Sequence, residues 1–502
     1  MSDANLILIT GALLVGALLA TMAAGRLRLP GLVLFLGLGM AIGSDGTGWI
    51  DFADYDLART IGVVALALIL FEGGLSVGFA EVRPVLGASV ALAIPGTLIT
   101  AAISGVAATW LFGFSLLEGM LLGSIVSSTD GAAIFGLVRQ SSLRPRVART
   151  LEGESGLNDP VAVLLVVGLI DWIQLPDYGL SDMVVLFLRE LGIGLAVGLA
   201  AGWLAVHGLR RVWLGSEAGY VIGTMGAAAI AYGAASSLHG SGFLAVYLAG
   251  LLLGSVPIPA KAAVTVFHQG LAQVAQVAMF VVLGLLVFPS QLGDVAFEGT
   301  ILALVLVLLA RPLATVATTA FARFTLREQS VLAWAGLRGA VPVVLATFPV
   351  IEGVHGSLDF FNIVFFAVLL STLLQGATFE PVAEALGVTT GAEGAAGSAL
   401  PVSRSVRPGA QVLTVRPWVE SDGDPAFPRA VLGTSVLRQL LTRLDSPGAL
   451  VVLSDGRYAF TGPVLGIGPA SALQASARRQ LTHAGTEAER AWWRDVVGAL
   501  AR

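Results

Sequence analysis

The sequence predicts an all-α polytopic membrane protein that carries a small cytoplasmic α/β domain at its C-terminal end. Two observations predict the membrane part: hydrophobic residues make up 56% of the 502 residues, and charged residues make up only 12%. A soluble domain usually carries about twice that share of charge. The third observation is a change of composition after Leu386, beyond which the long apolar runs end.

Apolar stretches of about 20 residues, the length that crosses a bilayer, recur about thirteen times. The first, Leu6 to Ala24, is expected to be a transmembrane helix and not a cleaved signal, because the positive charges of Arg26 and Arg28 follow it. The expected spans cover approximately residues 5–24, 30–43, 59–79, 85–112, 115–138, 151–173, 182–208, 217–236, 241–257, 265–288, 299–321, 329–349 and 360–384.

The charge of the loops predicts the orientation of the spans, since Lys and Arg collect on the cytoplasmic side of a membrane. Alternate loops hold basic residues, from Arg26 and Arg28 near the N-terminus to Arg323 and Arg327 near the end of the spans. The loops between them are acidic or neutral. The N-terminus is therefore expected outside the cell and the C-terminus in the cytoplasm.

Composition divides the chain into three parts. Residues 1–388 are expected to form the transmembrane domain. Residues 389–410 are rich in Gly, Ala, Ser and Pro, which indicates a flexible linker. Residues 411–502 are expected to form a cytoplasmic regulatory domain. Alternating residues around an Asp-Gly pair predict a hairpin in this domain, and two further segments are expected to be helical. These three elements are expected at 451–460, 436–444 and 469–484.

Two carboxylates are expected near the middle of the bilayer. Ten residues of helix, rising 1.5 Å each, reach the middle of a hydrocarbon core about 30 Å thick. Asp130 lies nine residues before Arg139, and Asp159 lies ten residues after Arg149, while Arg338 reaches the same level. A carboxylate at this depth costs several kcal/mol, so it indicates a functional site.

The residues around these charges predict two broken helices. Residues 127–131 and 336–342 are poor helix formers inside apolar spans. Such breaks are tolerated where protein or water satisfies the freed amides and carbonyls. They fall in the fifth and twelfth spans, seven apart, which fits an inverted repeat of spans one to six against eight to thirteen. The two broken helices are then expected to cross at the site.

At these residues the chain resembles the NhaP-type cation:proton antiporters, and within them the potassium/proton branch often named cell volume regulation protein A. The resemblance implies thirteen helices in a homodimer, in which a core domain moves against a dimerisation domain, within the inner membrane of a bacterium. It also implies that Asp159 carries both cation and proton in monovalent ion transport and pH homeostasis. The matching stretches are residues 71–75, 127–130, 151–163, 239–243, 279–287 and 336–342.

The chemistry of the matching residues suits these roles. A dehydrated K⁺ or Na⁺ prefers oxygen ligands, and Asp159, Asp130, Asn158, Thr129 and Ser155 supply carboxylate, amide, hydroxyl and freed backbone oxygens. A proton competes for the same carboxylate, so the binding of one ion expels the other. Two alternatives stay open: Asp130 can stabilise the helix break instead of binding the ion, and the two hydroxyls can bond to their own helix backbone.

Other residues limit or extend the resemblance. Asn158 precedes Asp159, at a position where a second Asp could stand. An Asn there matches the branch of the family that exchanges one cation for one proton. Such an exchange moves no net charge. Many relatives have Pro after the Asp of the fifth-span motif, where this chain has Gly131. The family resemblance also implies a structural ion pair between Glu154 and Arg338.

Two more ionisable residues, Glu72 and Arg311, lie within expected spans, and a structural role is favoured for both.

The predicted function is therefore secondary antiport of K⁺ and/or Na⁺ for H⁺, with lipid and the transported ions as the expected partners. An electrogenic antiporter or another ion-coupled transporter or conductor is the alternative, although no Thr-Val-Gly-Tyr-Gly filter occurs. No enzyme or cofactor motif is present, and the absence of Cys excludes a thiolate metal site. A net charge of −5 gives no support for nucleic-acid binding.

Overall fold

The computed structural model describes residues 3–27, 31–140, 143–212, 214–389, 411–415 and 449–453. The chain divides into two compact units, Met1–Thr389 and Thr390–Arg502. The described helices lie in the first unit and the two described strands lie in the second. The linker expected at 389–410 falls outside the described residues except for Thr389.

The described α-helices are, in chain order, α1 (Asp3–Leu27), α2 (Gly31–Ile42), α3 (Tyr55–Val77), α4 (Phe79–Val82), α5 (Leu86–Ala91), α6 (Thr97–Phe112), α7 (Leu116–Ser127), α8 (Gly131–Gln140), α9 (Pro145–Gln174), α10 (Leu180–Arg211), α11 (Glu217–Ser237), α12 (Gly242–Ser255), α13 (Lys261–Leu285), α14 (Ala296–Val305), α15 (Arg311–Thr319), α16 (Leu326–Trp334), α17 (Ala340–Ile351) and α18 (Ser357–Ala385).

The prediction of a mostly helical, polytopic membrane protein is confirmed. Eight of the described helical segments are long and apolar enough to cross a membrane, and five shorter apolar helical stretches of 10–17 residues accompany them, one of which is Gly11–Met22 within α1. Every one of the expected spans contains at least one described helix. That all thirteen cross the bilayer stays a prediction.

Two spans contain a π-helical turn beside a proline. One turn, Leu92–Gly96, joins α5 to α6 and contains Pro95; the other, Leu306–Ala310, joins α14 to α15, and Pro312 follows it. Proline lacks an N–H and disturbs the regular helical bonding, which favours a wider turn. The turns lie in the fourth and eleventh spans, seven apart, like the two expected breaks. This matching position supports the inverted repeat.

The two helix breaks expected from the sequence are present. In the fifth span α7 ends at Ser127 and α8 begins at Gly131, and in the twelfth span α16 ends at Trp334 and α17 begins at Ala340. Both breaks are buried, so their freed backbone groups must find partners within the protein.

Close helix packing brings α12 next to α3. A Cβ atom at Gly74 on α3 would lie 2.5 Å from the carbonyl oxygen of Tyr247 on α12, and one at Gly250 would lie 2.5 Å from that of Phe71. Small residues at such crossings allow the backbones of membrane helices to approach. Tyr247 is completely buried as a result and faces α9 from α12.

Loops that were expected on the same side of the membrane contact one another. The side chain of Arg146, between the fifth and sixth spans, donates to the carbonyls of Ala322 and Arg323, between the eleventh and twelfth. On the other side, the backbone N–H of Ser290 donates to Asp45 over 2.7 Å, which lowers the pKa of that carboxyl below its usual value. These two sets of contacts join loops that the charge pattern places on the same side, while the orientation of the membrane unit stays a prediction.

The second unit contributes two described strands, β1 (Gln411–Val415) and β2 (Ala449–Leu453), which pair in parallel. The first part of the expected hairpin lies in β2, whose described partner is β1. Residues 454–460 of that hairpin and the helices expected at 436–444 and 469–484 lie outside the described residues.

Candidate functional site

The two helix breaks meet at the centre of the site. The backbone N–H of Asp130 donates to the carbonyl of Leu337 over 2.9 Å. Arg338 Nη1 donates to the carbonyls of Ser127 and Ser128, each over 2.7 Å. Arg338 is 1% exposed, so its positive charge is buried at the C-terminal end of α7, where the helix dipole favours a cation.

Side chains of α18 satisfy further carbonyls that the second break sets free. Gln375 Nε2 donates to the carbonyl of Trp334 over 2.9 Å, and Thr372 Oγ1 donates to that of Arg338 over 2.5 Å. Both side chains are buried. An unsatisfied carbonyl away from water costs several kcal/mol, so these contacts are what permits irregular backbone at this depth.

Asp130 lies between the N-terminal ends of two helices. Its Oδ1 accepts from the backbone N–H of Ala133 in the first turn of α8 over 3.3 Å. Its carboxylate also lies against Gly339, the residue before α17, where an added Cβ would overlap it. Negative charge is favourable at helix N-termini. The sequence left two roles open for Asp130, stabilising the helix break and binding the ion. The geometry suits the stabilising role.

A buried polar cluster joins the first break to α9. Asn158 Nδ2 donates to Thr129 Oγ1 over 2.5 Å, and Thr129 Oγ1 lies 3.3 Å from Ser155 Oγ. The α9 residues 155, 158 and 159 have the spacing that places side chains on one helix face. Pro160 removes the helical bond that the Gly156 carbonyl would otherwise accept, which leaves a further oxygen near the cluster.

Asp159 is the unusual member of this cluster. Its side chain is 0% exposed, and neither carboxylate oxygen has a hydrogen-bond partner within the described part of the protein. The amide oxygen of Asn158 is likewise buried without a partner there. Asp159 also interacts electrostatically with Asp130. Buried carboxylates are almost always paired or hydrogen-bonded, so the oxygens of Asp159 are candidates for binding a cation or a proton.

The predicted ion pair between Glu154 and Arg338 is wrong. Glu154 pairs with Arg311 instead, through Nη1–Oε1 and Nη2–Oε2 contacts of 2.5 and 2.8 Å. Arg311 follows the π-helical turn of the eleventh span, and Gly336 leaves room for its side chain, since a Cβ there would lie 2.7 Å from Nε. Arg338 instead donates to backbone carbonyls of the first break, and no ion pair between Arg338 and Glu154 is present in the described part of the protein.

The structure thus brings Thr129, Ser155 and Asn158 into direct contact, with Asp159 in the next position of α9 and Asp130 at the break. Sequence reasoning gave the ion-pair role to the wrong arginine. A signal was available, because Arg311 is a charged residue in the middle of an apolar span and directly precedes a proline.

Sequence reasoning did not mention Tyr247, which lies beside α9, and it gave Glu72 a structural role. The ring of Tyr247 covers Gly156 so closely that a Cβ atom there would overlap it, and its hydroxyl donates to the Glu152 carbonyl over 3.5 Å. Glu72 on α3 is 5% exposed and accepts from Ser76 Oγ over 2.6 Å. Spacing along the sequence does not show that Tyr247 lies beside α9, because this contact depends on how α12 packs in three dimensions.

Comparison with known proteins gives consistent matches. The family model described as sodium/hydrogen exchanger, transmembrane, matches residues 11–385. The K(+)/H(+) antiporter NhaP2 of Shewanella sp. (strain ANA-3) is 40% identical over 414 residues, which is 81% of this chain and 71% of that protein. The Na(+)/H(+) antiporter ApNhaP of Aphanothece halophytica is 28% identical over 376 residues, 71% of this chain and 69% of that protein.

A solved structure has the same fold. The sodium proton antiporter MjNhaP1 of Methanocaldococcus jannaschii superposes with a TM-score of 0.65 at 25% sequence identity. The match covers 76% of this chain and 99% of the MjNhaP1 chain. The prediction that this chain is similar to NhaP-type antiporters is therefore confirmed.

The Glu154–Arg311 pair is expected to hold the sixth and eleventh spans together. Glu154→Gln and Arg311→Gln should each lower the free energy of unfolding by about 3 to 5 kcal/mol, because each leaves a buried charge unpaired. The double variant should lose less than the sum of the two. Thermal unfolding of the purified proteins in detergent measures this. Glu81→Gln, in the exposed pair with Arg149, is the control and should change stability by about 0 to 1 kcal/mol. Additive effects would contradict the pairing.

Gly339 is expected to be required for the position of Asp130. Gly339→Ala should displace the carboxylate and lower the free energy of unfolding by about 1 to 3 kcal/mol, the usual effect of overpacking. Gly131→Ala is the matched control, since its Cβ would make only ordinary contacts of 3.5 Å and more. Thermal unfolding and cation-driven proton flux are measured for both variants. Equal behaviour of the two alanines would show that the space at residue 339 is unimportant.

Proposed function

Since this chain belongs to the transmembrane sodium/hydrogen exchanger family, we propose that it exchanges K⁺ and/or Na⁺ for H⁺ across the inner membrane of a bacterium. The observation that carries the proposal is Asp159, a completely buried carboxylate with no hydrogen-bond partner within the described part of the protein. The relative at 40% identity is named a K(+)/H(+) antiporter, which favours potassium as the cation.

Cation binding follows from the oxygens that surround this carboxylate. Asp159 supplies the charge. Neutral ligands come from the hydroxyls of Thr129 and Ser155 and from the amide oxygen of Asn158, which has no hydrogen-bond partner among the described residues. A monovalent cation loses its hydration shell only where several oxygens replace it. The hydrogen bond from Asn158 to Thr129 holds two of these ligands in place.

Exchange follows because the cation and the proton need the same oxygens. A bare carboxylate at this depth is costly, so Asp159 is stable only with a cation bound or with a proton on one of its oxygens. The site therefore changes its accessibility from one side of the membrane to the other with a cation or a proton bound, and not while Asp159 is a free anion. Access to the site alternates between the two sides of the membrane. A cation that is carried in one direction is replaced there by a proton, and the proton is then carried in the other direction.

The fixed charges around the site support an electroneutral exchange of one cation for one proton. Glu154 and Arg311 neutralise each other directly. Arg338 and Asp130 bring opposite charges to the crossing of the broken helices, where each also favours a helix end. The Glu154–Arg311 pair and these two opposite charges leave Asp159 as the charge that the transported ions compensate. Both loaded forms of the site then have the same net charge.

The finer topology belongs to the same proposal. We expect thirteen crossings with the N-terminus outside, supported by the contacts between loops of like charge pattern. We also expect a homodimer. In the most apolar stretch of α10, only 17% of the residues are buried within one protomer, which leaves the surface of this helix for lipid or for a second copy.

Asp159→Asn is expected to abolish exchange while the protein still folds, because the amide binds neither a proton nor a cation with the required charge. Proton efflux from proteoliposomes is measured on adding K⁺ and Na⁺ in turn. Asp171→Asn, a half-buried carboxylate near the end of the same helix, is the control and should keep its exchange activity. Normal flux in the Asp159→Asn protein, reconstituted at wild-type levels, would refute the proposal.

The stoichiometry has its own test. Proton flux driven by a K⁺ gradient is measured in liposomes whose membrane potential is clamped at different values. An exchange of one cation for one proton moves no charge, so its rate is expected not to depend on the clamped voltage. A rate that rises or falls steadily with voltage would show electrogenic antiport, the alternative that the sequence left open.

A further inference from the structure

Two aromatic rings lie on glycines where the ion-site helices meet α3 and α12. The ring of Phe135, on α8, lies against Gly73 on α3, where a Cβ atom would overlap the ring. The ring of Tyr247, on α12, lies against Gly156 on α9 in the same way. Both rings are buried, at 4% and 0% exposure. Each pair of helices therefore approaches as closely as a ring against a bare Cα atom allows.

The two contacts join different sets of helices and run in opposite directions. α3 and α12 pack on each other through Gly74 and Gly250. α8 begins directly after Asp130, and α9 carries Asn158 and Asp159. One ring reaches from α8 to α3, and the other reaches from α12 to α9. Because close-packed interiors resist displacement, any movement of α8 and α9 along α3 and α12 must withdraw both rings from their glycines.

Both rings lie beside the ion ligands. A Cβ atom at Gly131, the first residue of α8, would lie 3.5 Å from Cε2 of Phe135 and 3.8 Å from Cβ of Ser155. Gly156 follows Ser155 directly. It precedes Asp159 by three residues, which is about 4.5 Å along a helix that rises 1.5 Å per residue. Aromatic carbon therefore covers this side of the ion site.

Water reaches α9 on the far side of the rings. The side chain of Arg149 is 33% exposed, and its Nη2 lies 2.6 Å from the exposed carboxylate of Glu81. Asp159, ten residues further along the same helix, is 0% exposed. Gly156, which the ring of Tyr247 covers, lies between these two positions. The boundary between the exposed and the buried part of α9 therefore falls at the rings, on the side of the basic loops.

The other end of α3 makes a different contact with the broken spans. Gly62 approaches Val344 on α17, where a Cβ atom would lie 2.6 Å from Cγ2. Beyond this contact, where α3 begins and α17 ends, lies a cavity of about 680 Å³ lined by residues 51, 53–56, 350 and 351. The contact on the side of the acidic loops is thus made by an aliphatic side chain next to a cavity, and the contact on the side of the basic loops by two aromatic rings.

We propose that Phe135 and Tyr247 form an aromatic seal, which closes the ion site toward the basic loops and opens it when the rings leave Gly73 and Gly156. The proposal rests on the proposed function, because exchange requires access from both sides. Burial of large rings favours the closed arrangement. The two rings bind no ion. They are positioning residues that set how often the site opens toward the basic loops.

A single cysteine measures the seal without any transport. The natural chain has no Cys, so Ser155→Cys places one thiol at the ion site. A positively charged methanethiosulfonate that does not cross membranes is added to one face of vesicles that carry the full chain, and the rate of labelling is measured. In a separate sample, Arg146→Cys, at an exposed position between α8 and α9, shows whether that face carries the basic loops.

From the side of the basic loops, Phe135→Ala and Tyr247→Ala are expected to raise the labelling rate of Ser155→Cys by about tenfold or more, since a minor state of about 0.1 to 10% becomes common. Labelling from the other side should not rise. Tyr247→Phe keeps the ring and should keep the slow rate. Phe243→Ala is the matched control, because this ring lies on the same helix but packs on Tyr232 of α11, with centroids 5.3 Å apart. It should also label slowly.

Three results would overturn the seal. The first is an unchanged rate from the side of the basic loops in both ring variants. The second is an equal rise from both sides, and the third is an equal rise in Phe243→Ala or in Val344→Ala, each of which would show general loosening. If the alanine variants do not fold, Phe135→Leu and Tyr247→Leu give the same comparison with less volume lost.

Cation-driven proton flux by the natural chain tests the proposed function separately. Normal flux together with a labelling rate that does not depend on the rings refutes the seal alone. Absent flux for every cation together with a labelling rate that depends on the rings refutes the exchange and leaves the seal as a barrier in front of the buried site.

Discussion

The whole site depends on one constraint, which is that the backbone groups freed by two buried helix breaks must find partners within the protein. The carbonyls of residues 127 and 128 accept hydrogen bonds from Arg338. Those of residues 334 and 338 accept from side chains of α18, and that of Leu337 accepts from the backbone N–H of Asp130 in the opposite break. Each break therefore supplies what the other lacks. The crossing is stable as a pair and neither half would be stable alone, which fixes the two spans against each other.

The charges at the crossing follow from that arrangement. Arg338 is placed by backbone carbonyls and not by a carboxylate, so Glu154 is free to pair with Arg311 from a different span. Asp130 is placed by the N-terminal ends of two helices, which compensate part of its charge. Asp159 alone in this group has no such compensation among the described residues. Asp159 is therefore the carboxylate to which the proposed exchange assigns the transported ions.

Much of this could be predicted from the sequence, and the reasons are physical. Apolar length identifies candidate spans, and glycine-rich and polar interruptions identify the breaks. The depth that distance from the basic loops predicts for Asp130 and Asp159 stays a prediction. These signals are local. The partner of Glu154 was assigned to Arg338 because both lie in recognisable motifs at similar depth. The actual choice depends on a π-helical turn that directs Arg311 and on Gly336, which makes room for it. Neither effect can be read from spacing along the chain.

The pair between Glu154 and Arg311 has a consequence for biogenesis. Its partners are 157 positions apart, and the acidic one is made first. During co-translational insertion the sixth span therefore enters the bilayer with a carboxylate that has no counter-charge until the eleventh span arrives. Either this carboxylate is held in a hydrated or protonated form, or the sixth span waits beside the translocon. Assembly of the membrane unit is then cooperative between early and late segments, and a chain arrested before residue 311 cannot complete it.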